Sequence, residues 1–305
     1  MSYLAVGDLV GEGYYQNGKA IRFDGGASRF NVIANLSAQG EKTKVISACG
    51  TDLAGDIALN ALKKVGVDTT AVIREGSTRM YHIIAIGDRH ECKKKCPFCG
   101  ESTWHDTPKA GFDYCISRMD SKDILILDGL KNENIPFITA TLNEKVLDIG
   151  RIKRLEPLPN DILLFILKNK IEILQLNETV ANYLLMRFGV GSFLDLFLLF
   201  RPKLMVVTKG KRGADFIYEE QLYEQKLPQS KVATEIADTE AGDAFFSVVI
   251  REYYNNSKKV NKTFINSCFK KATELTTQVV SYVGARGHLY DGYCKENMTC
   301  ICHKL

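Results

Sequence analysis

The sequence lacks any apolar run long enough to cross a bilayer: its longest apolar patches, Ile162 to Leu167 and Phe193 to Phe200, are short and are interrupted by Lys168 and Asp195. It also lacks an N-terminal signal-peptide pattern, an internal repeat and a low-complexity tract. Charge of one sign is scarce as well, because a formal net charge of +4 over 305 residues is far short of a nucleic-acid footprint. These absences predict a soluble, cytoplasmic protein with neither a membrane nor a nucleic acid as partner. In that compartment the nine cysteines are expected as reduced thiols or metal ligands rather than disulfides.

What is present is core material. Hydrophobic residues make up 45% of the chain and charged residues 25%, enough for one large α/β domain or two small ones. Tyr3 to Val6 reads as a buried strand ending at Gly7-Asp8, with Glu12 in a polar loop after it. Gly13 to Phe23 has the residues of a hairpin turning at Asn17-Gly18. Asp24 to Asn31 then supplies small residues leading into a helix whose apolar face is Val32, Ile33 and Leu36. Lys44 to Ala48 is a second strand, and a helix over Ile57 to Val65 is closed by Gly66. Strand and helix in alternation predict a parallel sheet covered on both faces. Met80 to Ile86 falls outside that rhythm and is expected to pair with the hairpin as a small accessory sheet. Further strands are predicted at Ile124 to Leu127, Ile171 to Leu176, Leu204 to Thr208 and Asp215 to Tyr218, and a last amphipathic helix at Phe264 to Val280.

The stretch Ala237 to Phe246 carries the chemistry. Phe245, Phe246, Val249, Ile250 and Tyr253 recur at the spacing of one helix face, so Ala241-Gly242-Asp243 sits where a loop becomes a helix. The first turn of a helix leaves its amide groups unpaired and carries the positive end of the dipole. Small residues there let an anion approach the backbone, and the same field keeps Asp243 ionised beside it. A carboxylate next to a phosphate cradle suits deprotonation of an attacking hydroxyl. On these residues alone, an acidic first turn without chemistry is the simpler account.

After Asp88 the pattern breaks into a cysteine-rich insert. Cys96-Pro97-Phe98-Cys99-Gly100 is a metal-binding knuckle, in which proline and glycine shape a turn that points both thiolates at one ion. Cys92 and Cys115 are the natural remaining ligands for zinc, with His90 and His105 as substitutes. Free thiols on an exposed hairpin are the alternative. Cys294, Cys300, Cys302 and His303 form a looser group, expected as free thiols in a tail. Cys49 and Cys268 read as core residues.

Taken together, these motifs resemble the ribokinase-like family of sugar and nucleoside kinases, also called the PfkB carbohydrate kinases, over nearly the whole chain. The resemblance rests on the Gly-rich helix start ending in Asn31, on Gly50-Thr51-Asp52 with Gly55, and on Gly66-Val67-Asp68. It rests equally on Asn177-Glu178, on Val206 to Gly210 with Gly213-Ala214, on the Asp238 to Phe246 signature, and on Gly284-Ala285. It implies an α/β protein, a three-layer α/β/α sandwich with a small β-sheet lid carrying the Cys-rich insert. The implied core is residues 1–12, 24–70 and 116–305, the lid 13–23 and 71–88, and the insert 89–115. The implied activity is ATP-dependent phosphorylation of a hydroxyl on a small sugar or nucleoside, with Mg2+; the structural Zn2+ is expected from the cysteine knuckle alone. In that scheme Asp243 is the base and Ala241, Gly242 and Asp243 form the anion hole. Glu12, Gly26, Ala27 and Asn31 face the substrate, and Asn177, Thr208 and Gly210 the nucleotide. A second copy of the chain is one way to cover the free face of the lid sheet.

The chain departs from the family pattern at identifiable positions. Glu240 occupies the first small position of the phosphate cradle, or a residue is missing there. Val180 stands where the family has a glutamate near magnesium and phosphates. Asp148-Ile149-Gly150-Arg151 only approximates the family's Asp-Pro-Asn segment, and no arginine role is carried over.

Overall fold

A computed structural model describes the chain except residues 87–88, 104–118, 131–134, 136–140, 156–157, 170, 228–240, 295–299 and 303–305. The described residues gather into two compact units, one around Leu4–Met119 with Gln278–Leu305, the other around Asp120–Thr234 with Ala241–Thr277.

The first unit begins with β1 (Tyr3–Asp8), every residue of which is buried, as expected of a strand covered on both faces. A hairpin follows, β2 (Val10–Gln16) and β3 (Lys19–Gly26), turning at Asn17-Gly18 with φ of 50° and 71°. Positive φ at both central residues is what a two-residue hairpin turn matching strand twist requires. The hairpin is longer than the sequence pattern suggested, so Glu12 lies on a buried strand and not in a polar loop. Helix α1 (Ser28–Ala38), β4 (Thr43–Cys49), α2 (Leu53–Lys64) and β5 (Asp68–Arg74) come next, and β1, β4 and β5 are neighbours in that order. Strand β5 was not foreseen, because its half-exposed residues lack an apolar run. With β6 (Arg79–Ile86) and β7 (Arg89–Lys93), the hairpin forms a four-stranded sheet in the order β3-β2-β6-β7. Strands β2 and β6 run parallel, and β7 extends the sheet into the cysteine-rich insert.

The Gly50-Thr51-Asp52…Gly55 motif has a structural explanation in this unit. Asp52 caps α2 by accepting from the Gly55 amide at 2.9 Å and also accepts from the Thr78 amide at 2.7 Å. A Cβ on Gly55 would stand 2.3 Å from the Gly50 carbonyl oxygen, so the helix start can approach the strand only without a side chain. Helix α2 covers one face of the hairpin, and Tyr15, Phe23, Ala54, Ile57, Met80 and Ile301 form the core between them.

The second unit contains β8 (Ile124–Asp128), β9 (Lys145–Ile149), α3 (Asn160–Leu167), β10 (Ile171–Asn177), α4 (Glu178–Phe188), α5 (Phe193–Phe200), β11 (Leu204–Thr208), β12 (Ala214–Tyr218), β13 (Gln221–Gln225), α6 (Ala241–Asn255) and α7 (Lys262–Val279). Strands β8 to β11 are parallel neighbours, while β12 and β13 are added antiparallel at one edge. The apolar helix α5 is started by a reciprocal cap between Ser192 and Asp195, and α4 is stopped by Gly189 at φ 65°. No single helix among the described residues is long and apolar enough to cross a membrane.

Candidate functional site

Four of the sequence-predicted residues meet in the first unit. Glu12 on β2 is buried; its Oε2 accepts from the Tyr14 hydroxyl at 2.7 Å and its Oε1 from the Ala27 amide at 3.4 Å. Burial pushes its carboxyl above the usual range, against the Tyr14 hydrogen bond and the charge of Arg286. Gly26 is small for a specific reason: a Cβ there would lie 1.9 Å from the Glu12 carboxyl carbon. Ala27 precedes the first turn of α1 with φ 73°, a left-handed conformation normally left to glycine. Asn31, one turn into the helix, is also buried.

The residue that binds this group together was not foreseen. Arg286 is wholly buried; its Nε donates to Asn31 Oδ1 at 3.1 Å and its Nη2 to the Gly26 carbonyl at 3.4 Å. Its Nη1 has no hydrogen-bond partner among the described residues. A buried guanidinium donor without an acceptor is costly unless something else completes it. The only signal in the sequence was its position directly after Gly284-Ala285. Tyr290 follows on the same segment, donating to Asp24 Oδ1 at 2.7 Å, while Asp24 also accepts from Arg22.

The second unit holds the other predicted residues. Asp243 lies in the first turn of α6 and is buried. Among the described residues, an added Cβ on Gly242 would meet nothing nearer than Gln175 Nε2 at 4.0 Å. Gln175 Nε2 donates to the Gly242 carbonyl at 3.1 Å and to Asp148 Oδ1 at 3.2 Å, tying α6 to β9 and β10. Its Oε1 is buried with no hydrogen-bond partner among the described residues. Burial pushes the Asp148 carboxyl up to about 6, against the pull of Arg154 and Gln175. Arg154 stands 3.5 Å from Asp148 and 3.8 Å from Asp128.

These groups sit at the carboxyl ends of parallel strands, with Asp128 beside Asp148, Asp148 beside Gln175, and Asn177 beside Thr208. Open α/β sheets bind ligands at that edge. Asn177 caps α4 through the Val180 amide at 2.8 Å and donates to the Gly150 carbonyl at 2.7 Å. The Thr208 hydroxyl reaches the Leu176 carbonyl at 3.5 Å, and Gly210 opens a short 3-10 turn at φ 57° with free space around it. Val180 is buried in the core, and Glu178 turns outward to pair with Arg212. The carboxylate in the first turn of α4 is thus Glu178, engaged by Arg212. Asp238 and Glu240 lie outside the described residues.

The cysteines are grouped differently from the sequence expectation. Cys96 and Cys99 stand with Cys300 and Cys302, all four sulfurs within 4.8 Å of one another. Cys92 is exposed on β7 and outside that group, and Cys115 lies outside the described residues. Cys49 and Cys268 are core residues, with burial pushing their thiols up to about 11 and about 12.

Comparison with known proteins adds a lineage to this geometry. The family model described as pfkB family carbohydrate kinase matches residues 6–148. Comparison with curated proteins returned no match. Among solved structures, a nucleoside kinase from Methanocaldococcus jannaschii, an archaeal member of the ribokinase family, is 16% identical with a TM-score of 0.71, covering 95% of each chain. A fructokinase from Xylella fastidiosa with bound ATP is 15% identical, with a TM-score of 0.69 and 94% of each chain covered. An aminoimidazole riboside kinase from Salmonella enterica, complexed with aminoimidazole riboside and an ATP analog, is 16% identical with a TM-score of 0.68, covering 95% of this chain and 97% of that one. The chain thus matches the pfkB carbohydrate kinase family model over residues 6–148 and shares the ribokinase-like α/β fold along almost its full length.

Proposed function

We propose that this protein phosphorylates a hydroxyl of a small sugar or nucleoside with ATP as donor. The observation that carries the reading is Asp243 in the first turn of α6, next to Gly242. Asp243 takes the proton of the acceptor hydroxyl as its oxygen bonds to the γ-phosphorus, and the bond from that phosphorus to the bridging oxygen breaks to release ADP. The amides of Ala241, Gly242 and Asp243 offset the charge that develops on the transferred group. Gln175 acts through α6 by holding the Gly242 carbonyl, which fixes the direction of those amides. Glu12 and Asn31 grip acceptor hydroxyls, Gly26 and Ala27 leave room for the ring, and the spare Arg286 donor is completed by an acceptor oxygen. Asn177, Thr208 and Gly210 line the nucleotide. Magnesium would arrive with the nucleotide and screen its phosphates.

Asp243→Asn should abolish phosphoryl transfer while ATP affinity stays within about threefold. The assay is ADP release across a panel of sugars and nucleosides, with nucleotide binding measured by calorimetry. Undiminished turnover would remove Asp243 from the base role. A second reading, a binder of sugar or nucleotide that transfers nothing, is favoured by Val180 lying in the core where the family has a glutamate. Tight binding of nucleotide without ADP release for any acceptor would select it.

A further inference from the structure

Two pieces of the chain that lie about two hundred positions apart converge in the first unit. The first is a tight hairpin: the Cys96 amide donates to the Glu101 carbonyl at 3.0 Å, the Gly100 amide to the Cys96 carbonyl at 3.1 Å, and the Thr103 amide to the Lys94 carbonyl at 3.0 Å. Gly100 supplies the positive φ of 73° that closes this turn. The second piece is the tail. Tyr293 exchanges two backbone hydrogen bonds with Phe23 on β3, and Ile301 is buried against Tyr15, Phe23 and Met80. Cys300 and Cys302 flank this buried Ile301, and their sulfurs meet those of the hairpin thiols Cys96 and Cys99.

We propose that Cys96, Cys99, Cys300 and Cys302 form a tetrahedral zinc site that clasps the carboxyl-terminal segment to the knuckle hairpin. Four thiolates about 2.3 Å from one ion stand about 3.8 Å from one another, which the observed grouping within 4.8 Å admits with little adjustment. An all-sulfur tetrahedron selects zinc or iron among the common metals, and a pair of two-ligand turns is a frequent way to build it. Four protein ligands leave no open position, so the ion is structural. Phe98, inside the knuckle, packs on Tyr15 at 5.4 Å between ring centroids, which holds the hairpin against the same core that Ile301 enters. The tail that the ion fastens is also the segment that carries Arg286 and Tyr290, so the site secures its far end. Cys92 and Cys115 take no part.

The test is metal analysis and thiol labelling of the full chain, expressed without a metal-binding tag. The expected result is one zinc per chain. With metal bound, mass spectrometry should find Cys96, Cys99, Cys300 and Cys302 protected from alkylation while Cys92 and Cys294 react, and a chelator should expose the four together. Hydrogen exchange over residues 286–294 should quicken on chelation. Cys300→Ser with Cys302→Ser should lose the metal, and Cys92→Ser should keep it. Should the double variant fail to fold, labelling of the native chain still decides. A chain without stoichiometric metal, iron in place of zinc, or Cys300 and Cys302 reacting as fast as Cys294 in the zinc-loaded chain would overturn the proposal. Protection of Cys92 or Cys115 in their stead would do the same.

Discussion

Replacing Gly26 by alanine probes the acceptor group most directly. The new methyl would stand 1.9 Å from the Glu12 carboxyl carbon, 2.0 Å from its Oε1 and 2.4 Å from its Cγ. Carbon atoms rest about 3.5 Å apart or more, so Glu12 must retreat by roughly 1.5 Å. The backbone cannot yield, because Gly26 pairs with Val10 and Asp24 with Glu12 across the β2–β3 ladder. The side chain moves instead and gives up its bonds from Tyr14 and Ala27. At about 0.5–1.5 kcal/mol net for each, the loss is about 1–3 kcal/mol, read as unfolding free energy by urea titration. If Glu12 holds the acceptor, the same displacement should raise the acceptor KM by about 5- to 100-fold with the ATP KM unchanged. Adding Glu12→Asp shortens the side chain by one methylene and should recover most of the lost stability. Stability of Gly26→Ala within about 0.5 kcal/mol of the parent, an ordinary surface effect, would refute this account of the cluster.

Three further outcomes follow from single residues. Ala27→Gly removes a side chain from a φ of 73° and should raise stability by about 0.5–1 kcal/mol; a loss would mean that the Ala27 methyl makes a packing contact that outweighs the strain. For Asp148, a folded value near 6 against an ordinary 3.8 means that the group's contribution is fully present below about pH 4 and is lost as pH rises through 6. Arg154, Gln175 and Asp128 are the groups that face it, and the parent should gain up to about 3 kcal/mol on Asp148→Asn between pH 7 and pH 4; a flat difference by urea titration would contradict it. Ile301→Ala should cost about 2–4 kcal/mol by the loss of a buried side chain, and a tail that merely drapes over the surface would show almost none of it.

The elements that could be read from the sequence are those whose signal is local. Strands β1 and β11 begin as apolar runs, β10 is apolar but for Glu172, Gln175 and Asn177, the hairpin announces itself by Asn17-Gly18, and α7 by its apolar spacing. Strands β5, β7, β9 and β13 were missed because what makes them strands is a neighbour's ladder of hydrogen bonds rather than their own composition. Asp243 and Gly242 were legible for the same local reason, a small-residue turn immediately before an amphipathic helix. Glu12 was identified but assigned to a loop, since a buried carboxylate in a strand violates the apolar pattern until Tyr14 and the Ala27 amide are seen to hold it.

The tail shows why such reading stops where it does. Between Arg286 and Cys302 no periodic pattern exists, and its cysteines invited the interpretation of loose thiols. Yet three of its described polar side chains meet partners far away in the chain: Arg286 meets Asn31, His288 meets Asn35, and Tyr290 meets Asp24. Burial, together with the nearby charge of Arg22, pushes His288 down to about 4, so this imidazole stays neutral near pH 7 and serves as a fixed link and not a switch. Each contact closes a loop of more than two hundred residues, an entropic cost that a few apolar side chains cannot offset alone. A segment of this kind remains in place only if several anchors share that cost, and the anchors observed here are a buried guanidinium, one isoleucine and a pair of thiols beside another pair. The setting of the wholly buried Arg286 thus depends on chemistry at the far end of a stretch whose described residues form no helix or named strand of their own.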